Sequence, residues 1–176
     1  MTRATRQTRL TAALLAVYLL LIAGIILFKL PFRSSAIGST RALNLIPLVG
    51  SYDGHGRLLW REITANTLIF IPFGVYLGML HRWTFVKRVL SIAGLSLGFE
   101  LAQYILGVGV TDITDLIDNT IGGIVGLGII KLLAKLLGAR TYGIVNTIAS
   151  AATIVALLRF SYFYYLSYFV MGLPPR

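Results

Sequence analysis

The sequence predicts an all-α fold, a polytopic membrane helix bundle with about five transmembrane helices. Of its 176 residues, 57% are hydrophobic and only 12% are charged, whereas soluble domains are about 25% charged. The apolar residues form long segments, and the short loops between these segments carry basic residues. The acidic residues fall at the opposite ends of the segments. A soluble fold of this length could not bury so much apolar surface.

Five apolar segments define the helices and leave room for one domain over residues 1–176. The first, at about 10–30, is long enough to cross a bilayer, and its length predicts that it is retained rather than cleaved. A polar loop at 32–60 follows. The next helices are expected at about 62–80, 87–107 and 115–138. The fifth, at about 142–165, ends in an aromatic-rich stretch that is typical of a membrane interface.

The charges predict how the bundle is oriented. With five crossings, nine basic residues fall on one side, which the positive-inside rule makes cytoplasmic: Arg3, Arg6, Arg9, Arg82, Lys87, Arg88, Lys131, Lys135 and Arg140. The N-terminus is then cytoplasmic and the C-terminus outside. All six acidic residues fall on the outer half: Asp53, Glu62, Glu100, Asp112, Asp115 and Asp118. The net charge of +10 is explained by the membrane, and no nucleic acid is expected as a partner.

Glycines four residues apart recur in the three central helices. The pairs are Gly74/Gly78, Gly94/Gly98 and Gly122/Gly126. Small residues at this spacing allow helix backbones to approach closely in lipid. The sequence therefore predicts a tightly packed core formed by these helices.

Polar stripes near the outer ends of three helices suggest one pocket, by the helical period. The candidate ligand-binding residues from these stripes and their flanks are Arg61, Asn66, Glu100, Gln103, Tyr104, Asp112, Asp115, Asp118 and Asn119. An ionisable group within a membrane helix is costly and is usually functional or paired. Glu100 could therefore act in binding or catalysis, or could only fix packing by pairing with Asn66, Gln103 or Arg61.

The fourth helix offers a similar choice. Asp112 and Asp115 could serve function or complement the helix N-terminus, where Thr114 or Asp115 would serve as the cap. No metal motif is present, since neither histidine has a partner at ligand spacing and cysteine is absent. No metal or other cofactor is expected.

Four motifs in order resemble the VanZ-like family of small bacterial membrane proteins. They are Asn44-Leu45-Ile46-Pro47, the segment 66–74 with Asn66, Pro72 and Gly74, the pair Glu100/Gln103, and the segment 112–123 with Asp112, Asp115, Asn119 and Gly122. The resemblance covers about residues 40–130 and adds Asn44 to the candidate ligand-binding residues. Many members carry Arg three residues before Asp112, where this chain has Gly109.

The resemblance implies resistance to glycopeptide antibiotics of the teicoplanin type in the envelope of a bacterium, from its cytoplasmic membrane. The leading interpretation is binding of a lipid-linked precursor, a membrane lipid or a lipidated glycopeptide in an outer-leaflet pocket. A second is an intramembrane enzyme that modifies a lipid or wall precursor, with Glu100 and Asp115 as candidate catalytic residues. A third is a small transporter or flippase. Whether the protein is an enzyme, and its oligomeric state, stay open.

Overall fold

The computed structural model describes residues 3–27, 43–48, 51–52, 58–80, 83–107, 111–166 and 169. Their helices are α1 (Arg3–Leu27), α2 (Trp60–Leu80), α3 (Phe85–Leu106), α4 (Ile113–Leu137) and α5 (Thr141–Tyr165). Two strands of two residues each, β1 (Leu43–Asn44) and β2 (Thr111–Asp112), precede α2 and α4. A 3-10 turn at Gly138–Arg140 separates α4 from α5. The predicted all-α class is confirmed.

Four stretches of the described residues are long and apolar enough to cross a membrane: Thr5–Ile26, Trp60–Leu80, Phe85–Leu106 and Ile113–Tyr165. The last of these is 53 residues long because it joins α4 and α5 through the 3-10 turn. The prediction of a polytopic membrane bundle is thereby confirmed. α1 begins at Arg3, a turn and more before the expected start near residue 10.

The two ends of the bundle carry opposite charge. Glu62, Glu100, Asp112, Asp115 and Asp118 lie where α1 and α3 end and where α2 and α4 begin. We call this the acidic end. The opposite end, where α1, α3 and α5 begin, is called the basic end, and its described basic side chains are Arg6, Arg9, Lys87, Arg88, Lys131, Lys135 and Arg140. Asp53 and Arg82 lie outside the described residues. Which end faces the cytoplasm stays a prediction.

The core lies between α2, α3 and α4. Phe70 is fully buried and meets Phe73 and Phe99 edge-on, with ring centroids 6.3 and 6.4 Å apart. α2 and α4 run in the same direction with their backbones in contact. A Cβ at Gly122 would collide with the Thr67 carbonyl oxygen, and one at Gly74 with that of Gly123. Close helix approach through small residues is the usual packing mode in lipid.

The glycine prediction is right for two pairs and wrong for the third. Gly74/Gly78 and Gly122/Gly126 all face a neighbouring helix, and a Cβ at any of them would collide with it. Gly94 and Gly98 of α3 face open space, with no atom within 4 Å of a Cβ built there. The four-residue spacing defines a small-residue face, but it does not say whether a helix packs on that face.

α5 packs beside α1 through a buried polar lock. The Asn146 side chain is 1% exposed, and its Nδ2 donates to the Gln7 backbone oxygen at 3.1 Å and to Gln7 Oε1 at 2.7 Å. Thr11 Oγ1 is also fully buried and donates to Asn146 Oδ1 at 3.0 Å. Since most of α5 is exposed, this lock and the adjoining apolar contacts determine where the helix sits.

Asn146→Leu is expected to lower the free energy of unfolding by about 1–2 kcal/mol, because it leaves Thr11 and Gln7 with unsatisfied buried groups. Thermal unfolding of the protein in detergent measures the effect. Thr147→Leu changes the neighbouring exposed residue and serves as the control, with a change of about 0.5 kcal/mol or less. Equal effects of the two substitutions would show that the lock does not hold α5.

Candidate functional site

Two loops meet at the acidic end and bring separate motifs together. β1 pairs in parallel with β2, so that Leu43 lies opposite Thr111 and Asn44 opposite Asp112. Asn44 Nδ2 donates to Asp112 Oδ2 at 2.9 Å. The segment after β1 is held as well, because the Leu48 N–H donates to Thr114 Oγ1 at 2.9 Å. The first and the last of the four motifs therefore form one unit.

Asp112 is also the N-cap of α4. Its Oδ1 accepts the Thr114 backbone N–H at 2.8 Å, and its backbone is extended at φ −123° and ψ 126°. The prediction that Thr114 or Asp115 caps this helix is wrong. The bridge to β1 holds Asp112 extended, the conformation that an N-cap needs, and the helix therefore begins at Ile113 rather than near 115.

Glu100 is buried, with 4% of its surface exposed, and it joins α3 to the start of α4. Its Oε2 accepts the Asp112 backbone N–H at 3.0 Å, and its backbone oxygen accepts the Thr111 hydroxyl at 3.0 Å. Among the partners considered from the sequence, Asn66 and Gln103 hydrogen-bond elsewhere. The observed contacts give Glu100 a positioning role, because they fix the connection that carries Asp112.

Asn66 and Gln103 each tie two helices together. Asn66 Nδ2 on α2 donates to Asp115 Oδ1 on α4 at 2.7 Å. Gln103 Nε2 on α3 donates to the backbone oxygen of Ile26, near the end of α1, at 3.0 Å. Such a bond satisfies one of the carbonyls that a helix leaves free at its C-terminus. Gln103 thus points toward α1 and away from Asp115.

Asp118 and Asn119 lie one turn deeper in α4 and differ from the residues above them. Asn119 Nδ2 donates to Ser96 Oγ at 2.9 Å. Asn119 Oδ1 and Asp118 Oδ2 are buried, and neither has a hydrogen-bond partner in the described part of the chain. The two side chains are 4% and 7% exposed. Buried polar atoms are paired in the great majority of cases, so these two oxygens require an explanation.

Two predicted site residues do not join this network. Arg61 is exposed on the first turn of α2, and Tyr104 is 41% exposed on α3. The stripe on α3 runs instead through Ser96, Glu100 and Gln103, all of which are buried. Their spacing of four and three residues is the signal that could have found Ser96 from the sequence.

No cation site is evident at this end. Within the described ranges, no three His, Cys, Asp or Glu side chains are arranged to hold a metal ion. Gly109, which stands where many relatives carry Arg, lies outside those ranges, as do Arg57 and both histidines.

Comparison with known proteins identifies the family. The VanZ/LLP1 family model matches residues 15–134, which include the acidic-end network and most of the first four helices. The protein VanZ of Enterococcus faecium is 37% identical over 129 residues, which cover 72% of this chain and 76% of that protein. No solved structure matches. The chain therefore belongs to the VanZ/LLP1 family, and it is a multi-pass bacterial membrane protein.

Proposed function

We propose that this protein lowers susceptibility to glycopeptides of the teicoplanin type by binding a lipid-linked or lipidated amphiphile at the acidic end. The family resemblance supplies the antibiotic class. The basic loops favour an orientation in which the acidic end faces outward, where these drugs and their cell-wall targets meet the membrane. A polar network beside apolar helix walls suits a ligand with a polar head and a lipid tail.

The observation that carries the proposal is the pair of buried, unpartnered oxygens on Asp118 and Asn119. A buried acceptor without a donor costs about 1–3 kcal/mol, and more when it is charged. A ligand head group that presents hydroxyl, amide or ammonium hydrogens would relieve this cost. Orphaned polar groups of this kind are typical of sites that await a partner.

The surrounding residues act by positioning these two. Asn66 and Asp115 hold α2 against α4, and Glu100 and Asp112 hold the connection that begins α4. Glu100 engages a backbone N–H through a carboxylate oxygen, and this contact supports a fixed acceptor more than a group that exchanges protons with a substrate. Binding through Asp118 and Asn119 is therefore favoured over acid–base catalysis by Glu100.

Asp118→Asn is expected to abolish protection while leaving stability unchanged or raised, because it removes a buried charge without changing side-chain shape. Minimum inhibitory concentrations of teicoplanin in a susceptible host measure protection, and a glycopeptide without a lipid tail tests the role of the tail. Membrane abundance and thermal unfolding are measured on the same strains.

Asp115→Asn is the matched control, since it makes the same chemical change on the same helix where the carboxylate has a partner. We expect it to lower stability by about 1 kcal/mol through the weakened bond to Asn66. If Asp118→Asn retains full protection at wild-type abundance, the proposal fails.

A further inference from the structure

A cleft opens at the basic end, far from the network described above. It lies between the start of α1 and the start of α5 and has a volume of about 1010 Å³. Its polar lining includes Gln7, Thr8, Arg140 and Thr147, and its apolar lining includes Ile144 and Ile148. The proposed function does not use this surface.

The cleft is preformed by the polar lock between the two helices. Asn146 binds both the backbone and the side chain of Gln7, and Thr11 binds Asn146 from below. These groups are satisfied within the protein. The walls are therefore held apart at a fixed distance without a ligand, which lowers the entropic cost of binding.

The electrostatic character of the cleft is uniformly positive. No acidic residue occurs in residues 1–52 or 119–176, so both helices that form the walls lack a negative charge. Arg140 is exposed and lines the cleft directly, while Lys131 and Lys135 lie exposed one and two turns before it at the end of α4. With no carboxylate nearby in the sequence, the counter-ion of the Arg140 guanidinium must come from outside the helices that form the cleft.

The lining also selects for an amphiphile. Ile144 is 39% exposed and Ile148 is 64% exposed, and they continue from the polar rim along α5 toward the middle of the bundle. A free anion would leave this apolar wall uncovered, whereas an acyl chain would cover it. Basic pockets between transmembrane helices are a common form of lipid head-group site.

We infer that the cleft binds an anionic phospholipid, with its phosphate on the Arg140 guanidinium and an acyl chain along Ile144 and Ile148. Arg binds phosphate through two parallel N–H groups, which gives geometric specificity as well as charge. The lipid joins α1 to α5 at the end where the fifth helix enters the bundle. This site is independent of the proposed function at the acidic end.

Two variants of equal charge test the inference. Arg140→Gln and Lys135→Gln each remove one basic charge from the same end, but only Arg140 lines the cleft. Native mass spectrometry of the purified protein, titrated with phosphatidylglycerol or phosphatidylcholine, measures the bound lipid. We expect phosphatidylglycerol to bind more tightly, Arg140→Gln to weaken it about tenfold, and Lys135→Gln about twofold.

A second pair of variants tests the cleft without changing charge. A Cβ at Gly143 meets no atom within 4 Å, and the same is true at Gly128, which does not line the cleft. Leu at either position improves helix propensity. Gly143→Leu is expected to fill the cleft and weaken phosphatidylglycerol binding about tenfold, with no loss of thermal stability, whereas Gly128→Leu leaves binding unchanged.

Several outcomes would overturn the inference. Equal loss in Arg140→Gln and Lys135→Gln would reduce it to general attraction between the basic end and anionic lipid. Binding by Gly143→Leu at the wild-type level would place the lipid elsewhere. Competition by inorganic phosphate at concentrations similar to the lipid would indicate a free-anion site instead.

Discussion

Gly122→Ala and Gly126→Ala are each expected to lower the free energy of unfolding by about 3 kcal/mol. A Cβ at Gly122 would collide with the Thr67 carbonyl oxygen, and one at Gly126 with that of Ile71. These obstacles are backbone atoms of α2, so no side chain can rotate away and the two helices must separate. Overpacking costs about 1–3 kcal/mol and occasionally more, and a backbone collision belongs at the upper end of that range.

The control variants should change stability in the opposite direction. Gly94→Ala and Gly98→Ala introduce the same methyl group at the same spacing on α3, where it meets nothing. Ala is favoured over Gly in a helix by about 1 kcal/mol, so these variants should be neutral or slightly stabilised. Denaturant unfolding in lipid or detergent measures all four. A similar loss in both pairs would contradict the observed packing of α2 against α4.

The sequence was sufficient for the helices because length and apolarity alone decide which segments can cross a membrane. It also located the acidic end, since its carboxylates sit at the ends of those segments. The glycine pairs show where this reasoning stops. Gly94/Gly98 and Gly122/Gly126 have the same spacing, and only the arrangement of neighbouring helices shows that the second pair carries a contact.

The candidate site was predictable as a set of residues, but its pairings were not. Asn44 and Asp112 are 68 residues apart, and their bond depends on two loops that meet only in the folded bundle. The same meeting of loops makes Asp112 the cap of α4, which the local sequence could not indicate. A helical stripe can be placed by spacing, whereas its partner across the bundle cannot.

The lock between α1 and α5 was missed for a different reason. Asn146 is an isolated amide in an apolar helix, and a polar residue within a membrane helix is by itself a sign of a buried contact. Attention to carboxylates and to the aromatic end of α5 passed over it. The amide binds Gln7, which lies in the turn before the expected start of the first helix.

Asp112→Ala is expected to lower the free energy of unfolding by about 3 kcal/mol, because it removes two bonds that hold different parts of the acidic end. The cap to the Thr114 N–H contributes about 1 kcal/mol. The bond from Asn44 to the carboxylate contributes about 2 kcal/mol, as hydrogen bonds to charged groups do. Denaturant unfolding measures the sum, and hydrogen exchange at Thr114 and Asn44 shows which segment opens.

Asp112→Asn separates these two contributions. Asn caps helices as well as Asp does, so this variant should keep the cap and lose the charge that strengthens the bond to Asn44. Asn44→Ala removes the same bond from the other side, together with the contact from Asn44 Oδ1 to the Ile46 N–H at 3.3 Å. A double-mutant cycle cancels that extra contact and should give a coupling of about 1 kcal/mol or more. If protection against teicoplanin falls equally in both single variants and no further in the double variant, the pairing of β1 with β2 is what function requires. Additive losses of stability would mean that Asn44 and Asp112 act independently, despite their 2.9 Å contact.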